Sequence, residues 1–201
     1  MARTPVPESE EHILRAALRV FADKGYGATS LRDLMRAAGL STTAFYARFD
    51  SKEAVLDALL RAFTARLVER ARTATQEAAN VDEGFERGAR ALAALVVEEK
   101  PLVRLALGEG LASEGARSTM RAVYDAVFAL LAARLTRLME KGAIDVVDAD
   151  ALARAITGAM QFVLMRWAVF AEIDDAVLGD ALVRTARALT PAARARETKE
   201  E

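Results

Sequence analysis

Residues 30–53 read SLRDLMRAAGLSTTAFYARFDSKE, and the order of caps, breakers and apolar positions in this stretch decides the fold. Ser30 followed three residues later by Asp33 makes a capping box with Asp in place of the usual Glu. Behind it Leu31, Leu34, Met35 and Ala38 recur at helical spacing. Gly39 suits the left-handed conformation that closes a helix, and Leu40 can then fold back on the preceding turn. Ser41 is a good N-cap for a second short helix. On that helix Ala44, Phe45 and Phe49 face inward, while Thr42, Thr43, Tyr46 and Arg48 point outward or sideways. A helix this short is unstable alone, so neighbouring helices must hold it. The pattern is a helix-turn-helix, and an exposed face of small hydroxyls, one Tyr and one Arg suits a major groove of DNA.

Thr29, Ser30, Arg32, Asp33, Ala38, Gly39, Ser41, Tyr46, Phe49, Ser51, Lys52 and Glu53 stand at offsets that resemble the N-terminal DNA-binding domain of the TetR family of transcriptional regulators. The departures are Thr43 for a frequent Gly, Arg48 for a frequent His and Asp50 for a frequent Pro. Thr43 and Arg48 lie on the recognition helix and bear on which operator is read. The resemblance implies an all-α fold in which a long fourth helix joins the helix-turn-helix to a helical effector-binding and dimerisation domain. Thr29, Ser30, Arg32, Ser41, Thr42, Thr43, Tyr46, Arg48 and Lys52 are the expected DNA-binding residues. Thr29 and the amides at the start of the second helix can hold a phosphate oxygen. Lys52, a cation in the first turn of its helix, opposes the helix dipole and makes sense beside a phosphate. Tyr46 can pack its ring on the fourth helix while its hydroxyl reaches the DNA backbone.

Composition agrees with a helical reading. The chain has 201 residues, 53% of them apolar, and only four prolines, and Ala, Leu, Arg and Glu dominate the proline-free stretches. No cysteine and a single histidine are present, which removes thiol chemistry and makes a metal or catalytic role for His12 improbable on residue supply alone. There is no phosphate-binding glycine loop and no Glu-x-x-His pair of the kind found in di-metal helical bundles. An enzyme is not expected, nor a cofactor or metal. No apolar run approaches a membrane span and the N-terminal residues form no signal region, so a soluble, cytoplasmic protein is expected. The net charge is −1, but residues 1–73 carry 12 Lys/Arg against 9 Asp/Glu and the remainder 16 against 20. The excess of cations falls on the side of the helix-turn-helix.

The chain divides on these grounds into an arm and DNA-binding domain over 1–53, a connecting helix over 54–73, a helical effector-binding and dimerisation domain over 74–191 and a disordered tail over 192–201. Helices are expected from Ser9 to Lys24, from residue 54 to about Thr73, over 81–99, over 102–107 after Pro101, over 113–141 ending at Gly142, and from Asp148 or Asp150 to about Ala171. A last helix follows Asp174 and stops near Pro191. Asp50 or Ser51 caps the fourth helix. The last two helices carry more apolar surface than one bundle face needs, and one helix-turn-helix reads few base pairs, so a homodimer is expected with Met160, Leu164, Val177, Leu178 and Leu182 at its interface. A small, largely hydrophobic effector is expected among residues 81–171, with Leu105, Tyr124, Phe128, Gln161 and Trp167 as candidate contacts. The expected function is a repressor that leaves a pseudo-palindromic double-stranded operator when the effector binds. The alternative is a dimeric DNA-binding protein whose C-terminal domain takes no small molecule and serves dimerisation or protein interaction.

Overall fold

The computed structural model describes residues 9–76, 78–109, 114–145 and 148–190. The expected arm and tail lie outside these. Every regular element among the described residues is a helix: α1 Glu10–Lys24, α2 Leu31–Ala38, α3 Thr42–Tyr46, α4 Lys52–Gln76, α5 Val81–Glu98, α6 Lys100–Glu109, α7 Glu114–Glu140, α8 Ala149–Ala168 and α9 Asp175–Leu189. The fold is all-α, with a helix-turn-helix at its N-terminal end and helices following it.

Local chemistry sets most of the boundaries. Ser9, Ser30, Ser41 and Asp148 each accept a backbone N–H from the residue three positions on, which satisfies an otherwise orphaned donor of the helix they open. Ser51, rather than Asp50, caps α4, its hydroxyl accepting from the Ala54 N–H at 3.0 Å. Asp148 rather than Asp150 opens α8. Gly39 takes φ 67° and ψ 29°, and the N–H groups of Gly39 and Leu40 return to the carbonyls of Arg36 and Met35. Gly142, at φ 63°, ends α7 in the same way, with Ala143 reaching back to Leu138. The helix α8 stops at Ala168 and not at Ala171, because Ala171 adopts φ 55° and the Glu172 N–H bonds to the Arg166 carbonyl.

By packing, the chain forms two compact units, Met1–Ala65 with Glu99–Val123 and Arg66–Glu98 with Tyr124–Glu201. In the first, α1 packs on α2 and α6, with Ile13, Phe21, Leu34, Phe45, Leu60 and Leu102 fully buried. Thr119 donates to the Asp57 carboxylate at 3.0 Å, fastening the start of α7 to α4. In the second, α9 packs on α5 and α8, and Phe85, Leu135, Ile144, Ala153, Ile156 and Ala186 form a core cluster. Arg187 on α9 makes a two-pronged bond to Asp82 on α5, at 2.8 and 2.7 Å, and a third to Glu86 at 2.9 Å.

A Cβ at residue 39 would meet nothing within 4 Å, so Gly39→Ala tests the backbone alone. The substitution is expected to destabilise the protein by about 1–2 kcal/mol, the cost of a left-handed L-residue, read as a lower urea midpoint with unchanged slope.

Candidate nucleic-acid interface and ligand cavity

The helix-turn-helix is built around two buried rings. Phe45 and Phe49 are sealed from solvent and lie 6.1 Å apart, and they anchor α3 although it is only five residues long. Anchored from that side, α3 exposes Ser41, Thr42, Thr43 and Arg48, with Tyr46 49% accessible and edge-on to Phe45. Ser30 and Arg32 are exposed on α2 and its cap. The capping box is complete: Ser30 Oγ accepts from the Asp33 N–H, and Asp33 accepts from both the N–H and the hydroxyl of Ser30. Lys24 adds a 2.7 Å ion pair, and these bonds, first that of Lys24, hold the Asp33 carboxyl well below the usual carboxylate range. His12 spans 3.1 Å from its Nε2 to the Ala38 carbonyl, so the single histidine ties α1 to the end of α2.

Behind this face the connection between α1 and α2 is drawn onto one ammonium. Lys52 Nζ donates to the carbonyls of Tyr26 at 2.9 Å, Thr29 at 3.2 Å and Gly27 at 3.4 Å, and lies 4.5 Å from the centre of the Tyr26 ring. An ammonium has three donors, and these three carbonyls use them. In this arrangement a set of carbonyl dipoles, where phosphate was expected, supplies a counter-charge for the cation in the first turn of α4. Thr29 is also turned inward. Its side chain is 3% accessible and its hydroxyl donates to the Gly25 carbonyl at 2.7 Å, so it braces the connection from inside.

The second unit contains an apolar cavity of about 170 Å³ between α4, α5, α7 and α8. Its walls are mainly Leu67, Phe85, Leu92, Leu131, Ile156 and Met160, with Thr75 and three arginines, Arg72, Arg134 and Arg137. Arg72 is paired with Glu69. The Arg134 Nε is sealed from solvent and has no acceptor.

Residues 13–59 match the family model described as bacterial regulatory proteins, tetR family. Residues 13–59 thus form a DNA-binding domain of the TetR type. The chain is 29% identical over 103 residues to the uncharacterized HTH-type transcriptional regulator YuxN of Bacillus subtilis, an alignment that covers 51% of this chain and 35% of that protein. It therefore spans about a third of that relative's length. Among solved structures, a TetR-family regulator from Syntrophomonas wolfei superposes with a TM-score of 0.84 at 21% identity, over 90% of this chain and 93% of that one, a likeness of fold. FadR of Thermus thermophilus, described as a TetR-family transcriptional repressor in complex with lauroyl-CoA, superposes with a TM-score of 0.67 at 26% identity, over 90% and 93% of the two chains. These proteins are transcriptional regulators rather than enzymes, and no described helix of this chain is long and apolar enough to cross a membrane.

None of the five expected effector contacts lines this cavity. Leu105 is buried in the first unit. Phe128 packs against the core cluster with Arg154 above its ring. The Trp167 indole N–H is spent on Asp175 at 2.7 Å, which fastens the end of α8 to the start of α9. Tyr124, whose hydroxyl burial pushes up in pKa, and Gln161 are part-buried and do not line the cavity. The expected dimer residues also separate. Leu178 and Leu182 are fully buried within their own chain and Met160 lines the cavity, whereas Val177 is 48% exposed and Leu164 part-buried. The exposed apolar residues near them that sequence reasoning missed are Phe162 and Phe170, at 62% and 57%. The cavity residues Gly84, Gly88 and Arg134 were missed too, although two glycines four apart inside a helix and an arginine beside the stripe of Val127, Leu131 and Leu138 were legible signals.

Two outcomes are expected in the first unit. Lys52→Met removes the charged donor that three carbonyls share and lowers stability by about 1–3 kcal/mol, measured by urea titration. Asp33→Asn is less stable than the parent chain. Since the folded pKa of Asp33 lies below its ordinary 3.8, the stabilisation is full above that pH and declines as pH falls toward the folded value. The gap between the two urea midpoints is therefore constant from pH 5 to 7 and narrows in acid, and a gap that widened in acid would contradict the assignment.

Proposed function

We propose that this chain is a ligand-responsive transcriptional repressor that binds a pseudo-palindromic operator as a homodimer. The observation that carries the reading is α3 with the residues just after it: fixed from behind by Phe45 and Phe49, the segment presents the hydroxyls of Thr42 and Thr43, the phenol of Tyr46 and the guanidinium of Arg48 to solvent. Thr42, Thr43 and Arg48 read base edges in the major groove, and Ser30, Arg32, Ser41 and Tyr46 hold phosphates. Thr29 and Lys52 act one layer behind, setting the angle at which α2 and α3 leave α1. The functional division is the one drawn along the chain, with residues 1–53 reading DNA, 54–73 connecting and 74–191 taking effector and dimerising.

Two copies pair through the exposed apolar side of α8 and α9, where Phe162, Leu164, Phe170 and Val177 supply a surface that solvent leaves costly. Pairing places two α3 helices in successive major grooves, about one helical turn or more apart. The cavity between α4, α5, α7 and α8 takes a hydrophobic effector, and its occupancy favours a conformation whose readers no longer match that spacing, so effector and operator oppose each other. The lauroyl-CoA complex of the similar Thermus thermophilus FadR supports an acyl or other apolar effector as the class to try first.

The test is a fluorescence titration of DNA from the region upstream of the chain's own coding sequence, across a salt series. Specific binding is expected, weakened about tenfold by Thr43→Ala on the operator but not on random DNA. Lys52→Met is expected to weaken binding to both DNAs without changing the salt slope, whereas loss of a phosphate contact lowers that slope by about one. Operator affinity no greater than that for random DNA would overturn the reading.

A further inference from the structure

The cavity holds one polar group that its walls do not explain. Arg134 lies on α7 beside Val127, Leu131 and Leu138 and lines the cavity with Leu131 and Phe85. Its Nε has neither solvent nor acceptor. The acids of the facing helix α5 are committed elsewhere, Asp82 and Glu86 to Arg187, Glu83 to Arg87 and Glu98 to Arg70. Its guanidinium lies 5.9 Å from the Phe85 ring centre and has Arg137 as a neighbouring like charge, and burial together with that charge pushes its pKa down. The position it takes exists only because residue 84 is glycine: a Cβ there would stand 1.9 Å from Arg134 Nη2. A half-buried guanidinium without a carboxylate, set against apolar walls, is an unfavourable arrangement that an anion would relieve.

We infer that Arg134 is the anion-recognition residue of this cavity, so that its ligand is a small carboxylate with an apolar body. The inference rests on the reading of the cavity as the effector site and names the chemical class that site selects. A planar guanidinium matches a carboxylate through two parallel N–H···O bonds. Arg137, which also lines the cavity, adds positive potential at the same end. The space, about 170 Å³, compares with the ~150 Å³ engineered apolar cavity that takes up benzene, so the body is one ring or a short chain. Leu67, Leu92, Leu131, Ile156 and Met160 receive that body. Charge thus decides which acid enters and the apolar walls decide its size.

The experiment is isothermal titration of the full chain with 4-phenylbutyrate and octanoate, each beside its neutral amide, and with lauroyl-CoA, whose acyl chain ends in a thioester. The acids are expected to bind about tenfold or more tightly than their amides, the margin of a charge-assisted pair over a neutral one. Arg134→Met brings each acid down to the level of its amide and leaves amide affinity within about twofold. Gly84→Ala is the second variant. The atom it meets is the far end of a flexible side chain, so it moves the guanidinium without unfolding the helix, and it weakens the acids selectively even if Arg134→Met fails to fold. Equal binding of acid and amide, an acid preference that survives either variant, or uptake of lauroyl-CoA alone would overturn the inference while leaving the effector site standing. Uptake of none of the five would overturn both the inference and that site.

Discussion

The DNA-reading unit depends on a single ammonium. Lys52 stands at the first residue of α4 and gathers the carbonyls of Tyr26, Gly27 and Thr29, three groups that the turn after α1 leaves pointing the same way. Without that cation the turn would lose the donor its carbonyls share, although the Tyr26 carbonyl would keep the Thr29 N–H. Thr29 closes the same turn from the inside through the Gly25 carbonyl, and Lys24 and His12 join α1 to the two ends of α2 through Asp33 and Ala38. A helix as short as α3 has no stability of its own, so its direction is inherited from this braced turn and from Phe45 and Phe49. Such a reader presents its hydroxyls from a rigid base, and little ordering entropy remains to be lost when it meets a groove.

The second unit is held differently, by apolar packing with ionic fasteners at its edge. Arg187 ties α9 to α5 at Asp82 and Glu86, and Arg90 reaches Asp180 in the opposite sense. These groups are largely exposed, so each pair adds little to stability and serves register more than energy. The weight is carried by Leu135, Ile156, Leu178 and Leu182, all without accessible surface. Trp167 sets the corner between α8 and α9 by spending its N–H on Asp175, and Phe162, Phe170 and Val177 stay exposed outside that packing.

What could be read from sequence follows the range of the interaction. Caps and stops act over three to five residues, so Ser30 with Asp33, Gly39, Ser41 and Gly142 were legible and carried the whole helix-turn-helix. Periodicity located the apolar faces of α8 and α9 equally well. It is silent on what covers a face, and Leu178 and Leu182 were assigned to a partner when their own chain buries them. The carbonyl partners of Lys52 were out of view for a related reason: they lie 23 to 26 residues away, and an isolated cation at a helix start suggests phosphate when that loop is not in sight. The cavity was harder still. It joins Gly84 to an arginine on another helix, and the aromatic residues that drew attention, Phe128 and Trp167, turned out to be occupied with packing.

The unpaired charge of Arg134 bears on how a ligand could act at all. A ligand shifts an equilibrium only by the difference between its affinities for the two states, and an apolar body gains much the same from any state that keeps the walls together. The guanidinium is different, because its place depends on clearance at Gly84 and on the ring of Phe85, so a small change in how α5 meets α7 alters the site where a carboxylate would sit. Ion pairing in a partly dehydrated pocket is steep in distance and orientation compared with apolar contact. An acid held there would distinguish two arrangements of these helices that a neutral molecule of the same shape would bind alike. On the proposed reading, relief of that uncompensated cation by an anion would be confined to the one arrangement in which the anion fits, and the response would follow from it.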